Sequence, residues 1–160
     1  MMLSNTNIIL NLDFVQAALN NLKKLEDERI YCRHDLSHFF DVARICYILC
    51  LENGLNINKD VIYTAAILHD LGREEQIQNG IPHEEASYHL ALKAFDHTDF
   101  SQSDRELILS AIKGHRSVST DSDFPSLFSR ADKLSRDCFN CKAYETCYWS
   151  EQKKNNELKY

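Results

Sequence analysis

At 160 residues, with a net charge of −6, 44% hydrophobic and 26% charged residues, the chain has the makeup of one globular domain with room for a sizeable core. The acidic balance argues against a phosphate-backbone binder, which carries a basic stripe, so no nucleic-acid polymer is expected as a partner. No stretch approaches the roughly 18 unbroken apolar residues of a membrane span, and Met1 to Leu10 lack the basic segment of a signal peptide, so the chain reads as cytoplasmic, without a membrane partner.

Two prolines, four glycines and apolar residues at spacings of three and four predict an all-helical chain. A first helix from about Leu12 to Glu28 puts Phe14, Ala17, Ala18, Asn21, Leu22 and Leu25 on one face. A second, from near Asp35 to about Glu52 ahead of Gly54, carries the stripe His38, Val42, Ile45, Cys46, Leu49 and Cys50, so His38 points with the core. His34, one turn earlier at the helix mouth, reads as a substrate-binding or supporting residue rather than a ligand. The third helix starts after Asn58, a suitable N-cap, and ends at Gly72. Its inward stripe is Ile62, Ala65, Ala66 and His69, and the small alanines let neighbouring helices approach.

A loop from Gln76 to Gly80 leads to Pro82, which suits a first helical turn. The stripe that follows is His83, Ala86, Leu90 and Ala94, leaving His89 and His97 to solvent. Ser103 and Glu106 read as the capping box of a helix whose buried line is Ile108, Ala111, Ile112 and His115. Pro125 opens the last helix, with Leu127, Phe128, Ala131, Asp132, Leu134 and Ser135 inward or near it.

Five helices thus each bring a metal-capable side chain to an apolar stripe: His38, His69 with Asp70, His83, His115 and Asp132. Burying imidazole and carboxylate groups this way is costly unless something binds them, and both are good ligands for a divalent metal.

The stretches Ser37-His38-Phe39-Phe40-Asp41-Val42-Ala43, Leu68-His69-Asp70-Leu71-Gly72 and Arg130-Ala131-Asp132-Lys133, in the order His … His-Asp … Asp, resemble the HD-domain superfamily of metal-dependent phosphohydrolases. Pro82-His83-Glu84-Glu85-Ala86-Ser87 and Ala111-Ile112-Lys113-Gly114-His115 resemble the two extra histidine segments of its dinuclear members. The resemblance implies an all-α, single-domain helical bundle over 1–160, with its core at 30–136 and a metal in the middle. His38, His69, Asp70 and Asp132 would take a first metal; His83 and His115 would take a second, with Asp70 bridging. Iron or manganese is favoured, with nickel, cobalt, zinc or magnesium also compatible with this shell.

The implied reaction is hydrolysis of a phosphoester or phosphoanhydride in a small phosphorylated substrate, a nucleotide or dinucleotide, by a metal-bound hydroxide. Asp70, His69 and Arg73 would carry it. Arg73, Arg116 and Lys133 are the candidate cations for phosphate, and Asp35 the candidate orienter of an imidazole. Substrate recognition is expected from the loops at Glu74–Ile81 and Ser117–Phe124. The six-ligand set also resembles bacterial HD hydrolases that cleave diadenosine tetraphosphate symmetrically. Two further readings are a di-iron HD-type oxygenase and a regulatory domain that binds nucleotides without cleaving them.

The segment 137–149 carries a separate signal, Cys138-x-x-Cys141 followed by Cys147. Six cysteines in a reducing compartment need an explanation other than disulfides. Cys32 lies six residues before His38, and Cys138 six residues after Asp132. If His38 and Asp132 share a metal on antiparallel helices, both displacements, about 9 Å each, run the same way and the cysteines meet. This predicts a structural tetrathiolate site of Cys32, Cys138, Cys141 and Cys147 holding zinc, with an iron–sulfur cluster as the alternative. Cys46 and Cys50 read as core residues.

Overall fold

A computed structural model describes residues 3–116 and 119–160. Among the described residues the regular structure is helical: α1 (Ser4–Leu10), α2 (Asp13–Leu25), α3 (Leu36–Glu52), α4 (Lys59–Leu68), α5 (Arg73–Asn79), α6 (His83–Phe95), α7 (Gln102–Gly114) and α8 (Phe124–Leu134), then 3-10 turns at Cys138–Asn140 and Tyr144–Thr146. The all-α expectation holds. No helix among these residues is long and apolar enough to cross a membrane.

α4 is the axis of the bundle. Val61, Ile62, Thr64, Ala65, Ala66, Ile67 and Leu68 have no accessible surface, the signature of a helix covered on every side. α3 and α7 pack along it, α8 closes the bundle against α3 and α7, and α6 lies over α7 and α5. Side-chain caps fix where the site-bearing helices begin. Asp35 accepts from the His38 N–H at 3.0 Å, Asn58 from Asp60 at 3.0 Å and Asp123 from Ser126 at 3.0 Å.

Several elements depart from the sequence expectation. The chain forms α1 ahead of the expected first helix because Asp60, at the start of α4, accepts from the N–H groups of Asn5 at 3.0 Å and Thr6 at 2.9 Å. These bonds satisfy α1's otherwise unpaired first turn. α2 buries Val15, Ala18 and Leu22, and Leu25 is exposed, so its inward line is rotated from the one expected. On α6 the buried line is His83, Ser87, Ala91, Ala94 and Phe95 rather than Ala86 and Leu90. The capping box of α7 is Ser101 with Asp104, two residues earlier than Ser103 and Glu106. Gln76 to Gly80 belongs largely to α5, which ends at Gly80 in the left-handed region that glycine favours. The third helix stops at Leu68, and His69 to Gly72 form a tight turn into α5.

Candidate metal centre

The turn at 69–72 sets the centre. His69 is the C-cap of α4, and its Nδ1 donates to the Ala66 carbonyl at 2.7 Å, turning Nε2 inward. Gly72 is where the turn meets α6. Its N–H donates to Ser87 Oγ at 2.8 Å, and a Cβ there would stand 2.3 Å from the His83 carbonyl oxygen and 2.4 Å from the Ser87 nitrogen. Only glycine allows this approach, which brings His83 against Asp70.

Asp70 lies at the middle, with almost no accessible surface, and its two oxygens face different partners. Oδ2 is 3.2 Å from His69 Nε2, 3.9 Å from His38 Nε2 and 3.8 Å from His34 Nε2. Oδ1 is 3.2 Å from His83 Nε2, 3.7 Å from His115 Nε2 and 2.9 Å from Arg73 Nε. Asp132, delivered by α8, sets its Oδ1 3.3 Å from His38 Nε2 and 3.8 Å from His69 Nε2. His38, His69, Asp70 and Asp132 thus offer ligand atoms within 4.8 Å of one another, and Asp70, His83 and His115 form a second such group.

Each imidazole is held with its lone pair inward. His115 Nδ1 faces the Ile112 carbonyl at 2.5 Å, and His83 Nδ1 faces Gln76 Oε1 at 2.8 Å. Ser135 Oγ donates to the Asp132 carbonyl at 2.7 Å and so accepts from His38 Nδ1 at 3.0 Å. With Nδ1 the donor in each ring, the Nε2 atoms are acceptors. His83 Nε2 and His115 Nε2 then confront each other at 2.9 Å, lone pair to lone pair. His69 Nε2, Asp70 Oδ1, Arg73 Nε and Asp132 Oδ1 are buried without a hydrogen-bond partner among the described residues. Arg73 Nε is close to Asp70 Oδ1 but off the line that a hydrogen bond requires. Apart from the Arg73 donor these are acceptors, and with the facing His83 and His115 nitrogens they suit a bound cation, whether a proton on His69 or a metal ion.

The titration behaviour carries the same message. Burial opposes a charge on His69, but Asp70 and Asp132 outweigh it and push its pKa up to about 9. The acids draw a positive charge to the atom where a metal would sit. Burial pushes His38 and His83 down to about 4. Asp70 and Asp132 stay well below the usual carboxylate range: burial would raise both, and the neighbouring imidazoles, with Arg73 beside Asp70, outweigh it.

The other expected site residues are distributed unevenly. His34 is buried beside the centre, and Asp35 acts through the backbone of His38 as its cap. Arg73 reaches Asp70. Arg116 instead lies 58% exposed and pairs with Glu84 at 3.2 Å. Lys133 Nζ donates to Ser129 Oγ at 2.7 Å and to the Ser129 and His115 carbonyls, tying α8 to the end of α7. Of the two expected recognition loops, Glu74 to Asn79 are helical, and Ser117 lies outside the described residues.

Two residues of the centre carried no sequence signal. Glu26, buried beyond the end of α2, holds His34. Arg136 donates from Nη2 to His38 Nε2 at 3.0 Å and from Nη1 to the Arg33 carbonyl at 2.9 Å. A charged residue just past a helix end looks like any solvated one, and only the fold shows otherwise. Cys32, Cys138, Cys141 and Cys147 all line one cleft of about 810 Å³ that extends to His38. Burial raises the Cys32 thiol pKa, Arg136 opposes the rise, and the other three thiols add to it. Cys46 and Cys50 are core residues, as expected.

The model of the HD domain matches residues 35–137, well over half of the chain. The chain belongs to the HD domain family. An uncharacterized protein of Clostridium beijerinckii is 42% identical over 154 residues, a match covering 96% of this chain and 98% of that one. A crystal structure of a predicted HD superfamily hydrolase from an uncultured Thermotogales bacterium superposes with a TM-score of 0.63 over 94% of this chain and 79% of that one. At 21% identity that likeness speaks for the fold. This HD domain spreads its centre over five elements: His38 on α3, His69 and Asp70 on the turn after α4, His83 at the start of α6, His115 closing α7 and Asp132 on α8.

Proposed function

We propose that this HD domain is a metal-dependent phosphohydrolase that cleaves a phosphoester or phosphoanhydride in a small phosphorylated substrate, a nucleotide or dinucleotide. The observation that carries the reading is the division of Asp70. One oxygen serves the group of His38, His69 and Asp132, and the other serves His83 and His115. These residues would hold two divalent ions with Asp70 between them, and the mixed nitrogen and oxygen donors favour iron or manganese. When bound, such a pair supplies Lewis acidity and lowers the pKa of a coordinated water toward neutrality.

The chain's own groups have definable parts in this reading. Arg73, held beside Asp70, presents a guanidinium at the edge of the second group, suited to a phosphate oxygen. Arg136, 3.6 Å from Asp132 Oδ1, is placed to do the same at the first. His34, with Nδ1 donating to Glu26, keeps a bare Nε2 toward Asp70 that can accept a proton at the reacting end. Membership of the HD family, and a structural relative described as a predicted HD superfamily hydrolase, support hydrolysis as the reaction class.

The test is a phosphatase screen over nucleotides and dinucleotides with the protein loaded anaerobically with iron, manganese or cobalt. Phosphate release without oxygen is the expected result. Inactivity of fully metallated protein, or turnover that depends on dioxygen, overturns the reading.

A further inference from the structure

The four cysteines of the cleft beside the His/Asp centre have no part in the function proposed above. Cys32 comes from the segment between α2 and α3, and Cys138, Cys141 and Cys147 come from the tail, yet all four line the same cavity. None is in a disulfide. The tail cysteines sit on a short ladder of turns. Cys141 N–H donates to the Cys138 carbonyl at 3.1 Å, Tyr144 to Cys141 at 3.1 Å and Cys147 to Tyr144 at 3.3 Å, and all three cysteines line the cleft. Arg29 Nε donates to the Cys32 carbonyl at 2.8 Å and holds the backbone of the fourth cysteine.

An apolar core does not hold this tail. Of residues 137–160 only Cys138 and Ala143 are buried, while Phe139 and Tyr148 are 54% and 80% exposed. A segment with so little buried apolar surface keeps one conformation only with a staple. Among the described residues the hydrogen bonds tying it to the bundle are few: Tyr31 Oη to the Thr146 carbonyl at 3.2 Å, Asn155 to the carbonyls of Lys133 and Arg136 at 2.7 and 2.8 Å, and Tyr160 Oη to Glu52 at 3.1 Å. Four thiols around one cavity at the junction supply the missing constraint if they share a ligand.

The spacing of the thiols bears on what that ligand is. A single tetrahedral zinc with Zn–S bonds of about 2.3 Å draws its four sulfurs to roughly 3.8 Å from one another. Among the described residues no three of these sulfurs gather within 4.8 Å, although the two His/Asp groups do. In a cubane iron–sulfur cluster each thiolate holds a different iron, so the four sulfurs stand well apart around a bulky core. Arg29, Arg33, Arg136, Lys142 and Lys154 line the same cleft against Glu28, Asp35, Asp41 and Asp137, a slight positive excess beside the thiols.

We propose that Cys32, Cys138, Cys141 and Cys147 hold a cubane iron–sulfur cluster that staples the tail to the segment ahead of α3, in the wall of the cleft that reaches His38. Of the zinc ion and the iron–sulfur cluster that the cysteine spacing allows, the cluster is the one favoured here. It stands independently of the hydrolase reading, since the thiols and the His/Asp residues are separate ligand sets.

The test uses the full chain, produced with ample iron and purified anaerobically, assayed for acid-labile sulfide, iron and zinc and by Mössbauer spectroscopy. About four sulfides and four cluster irons per chain, with visible charge-transfer colour, are expected. Cys141→Ser and Cys147→Ser should lose the sulfide and colour while keeping helical circular dichroism and the metal of the His/Asp centre. Cys46→Ser and Asp70→Ala should keep the sulfide. Zinc without sulfide in the purified wild type, or no sulfide after anaerobic reconstitution with ferrous iron and sulfide, overturns the proposal. If the serine variants do not fold, the sulfide and zinc contents of the wild type still decide it.

Discussion

Glu26 grips His34 twice: one carboxylate oxygen accepts from the imidazole Nδ1 at 2.7 Å, and the other accepts from the His34 backbone N–H at 2.8 Å. Both residues are buried, and no competing tautomer satisfies the carboxylate as well. Burial would raise the pKa of Glu26, and the His34 contacts outweigh it, so the acid stays ionised. Burial lowers the pKa of His34 despite Glu26, so the ring stays neutral with Nε2 bare toward Asp70. Glu26→Gln puts an amide NH₂ where an acceptor stood, which favours the tautomer that carries the proton on Nε2. The expected result is a kcat about 10–100-fold lower with a smaller change in KM, and a stability loss of about 1–3 kcal/mol. Steady-state kinetics beside urea unfolding check this. Lost stability with unchanged kcat would show that the pair serves only the fold.

The pKa values of the centre predict how the metal-free protein responds to pH. His38 and His83 ionise at about 4 in the fold against 6.5 when unfolded, so between those values the unfolded chain binds protons that the folded chain refuses. Stability therefore falls as pH drops through that window, by on the order of 3 kcal/mol for each histidine. His69 is opposite in sign: with its pKa at about 9 rather than 6.5, its contribution is complete below 6.5 and lost as pH rises to 9. Chelator-treated protein should be most stable near pH 6.5. A bound metal displaces the His69 proton, so loading with manganese should remove the alkaline decline and steepen the acid one. Urea midpoints measured across the range, with and without metal, test this. An alkaline limb that survives metal loading would place the metal away from His69.

Gly72 supports the second ligand group from outside it. A methyl at this position meets the backbone of α6 rather than a side chain that could swing away, so α6 and His83 must shift. Gly72→Ala should cost about 1–3 kcal/mol, as overpacking does, and should lower the affinity of the second metal before that of the first. Titration of bound metal by mass spectrometry under native conditions reports both. Equal weakening at the two groups would mean that the turn itself has collapsed.

The six residues of the two ligand groups were legible because His38, His69, His83, His115 and Asp132 fall on apolar stripes, where helical periodicity turns them inward, and Asp70 follows His69 directly. Neither the rotation of α6 nor the turn at 69–72 could be read this way. Ser87 and Ala91 are too small to mark a stripe, and the turn exists because Gly72 meets α6, a tertiary contact. α1 depends on Asp60, some fifty residues away, and Glu26 on His34 across a loop. Lys133 reads as a phosphate ligand because it follows Asp132, and the fold adds what the sequence does not show, its bonds to Ser129 and the His115 carbonyl. Arg136, four residues after Asp132, faces the same way and does reach the centre.

Asp70 is the one carboxylate common to both ligand groups, so three substitutions should part the centre into its components. Asp132→Ala removes a ligand from the group of His38 and His69 alone, and His115→Ala removes one from the group of His83 alone. Each should lower metal content by about one ion per chain, with the other retained. Asp70→Ala strips both groups and should reduce metal content at the centre to near zero and abolish turnover. The helical fold should persist, because removing Asp70 also relieves the burial of an acid that metal-free protein must neutralise with a proton on His69. Metal analysis, circular dichroism and kinetics on the three variants decide the matter together. If Asp70→Ala keeps one full equivalent of metal while Asp132→Ala loses both, Asp70 is not the shared ligand, and the centre is built round Asp132 instead.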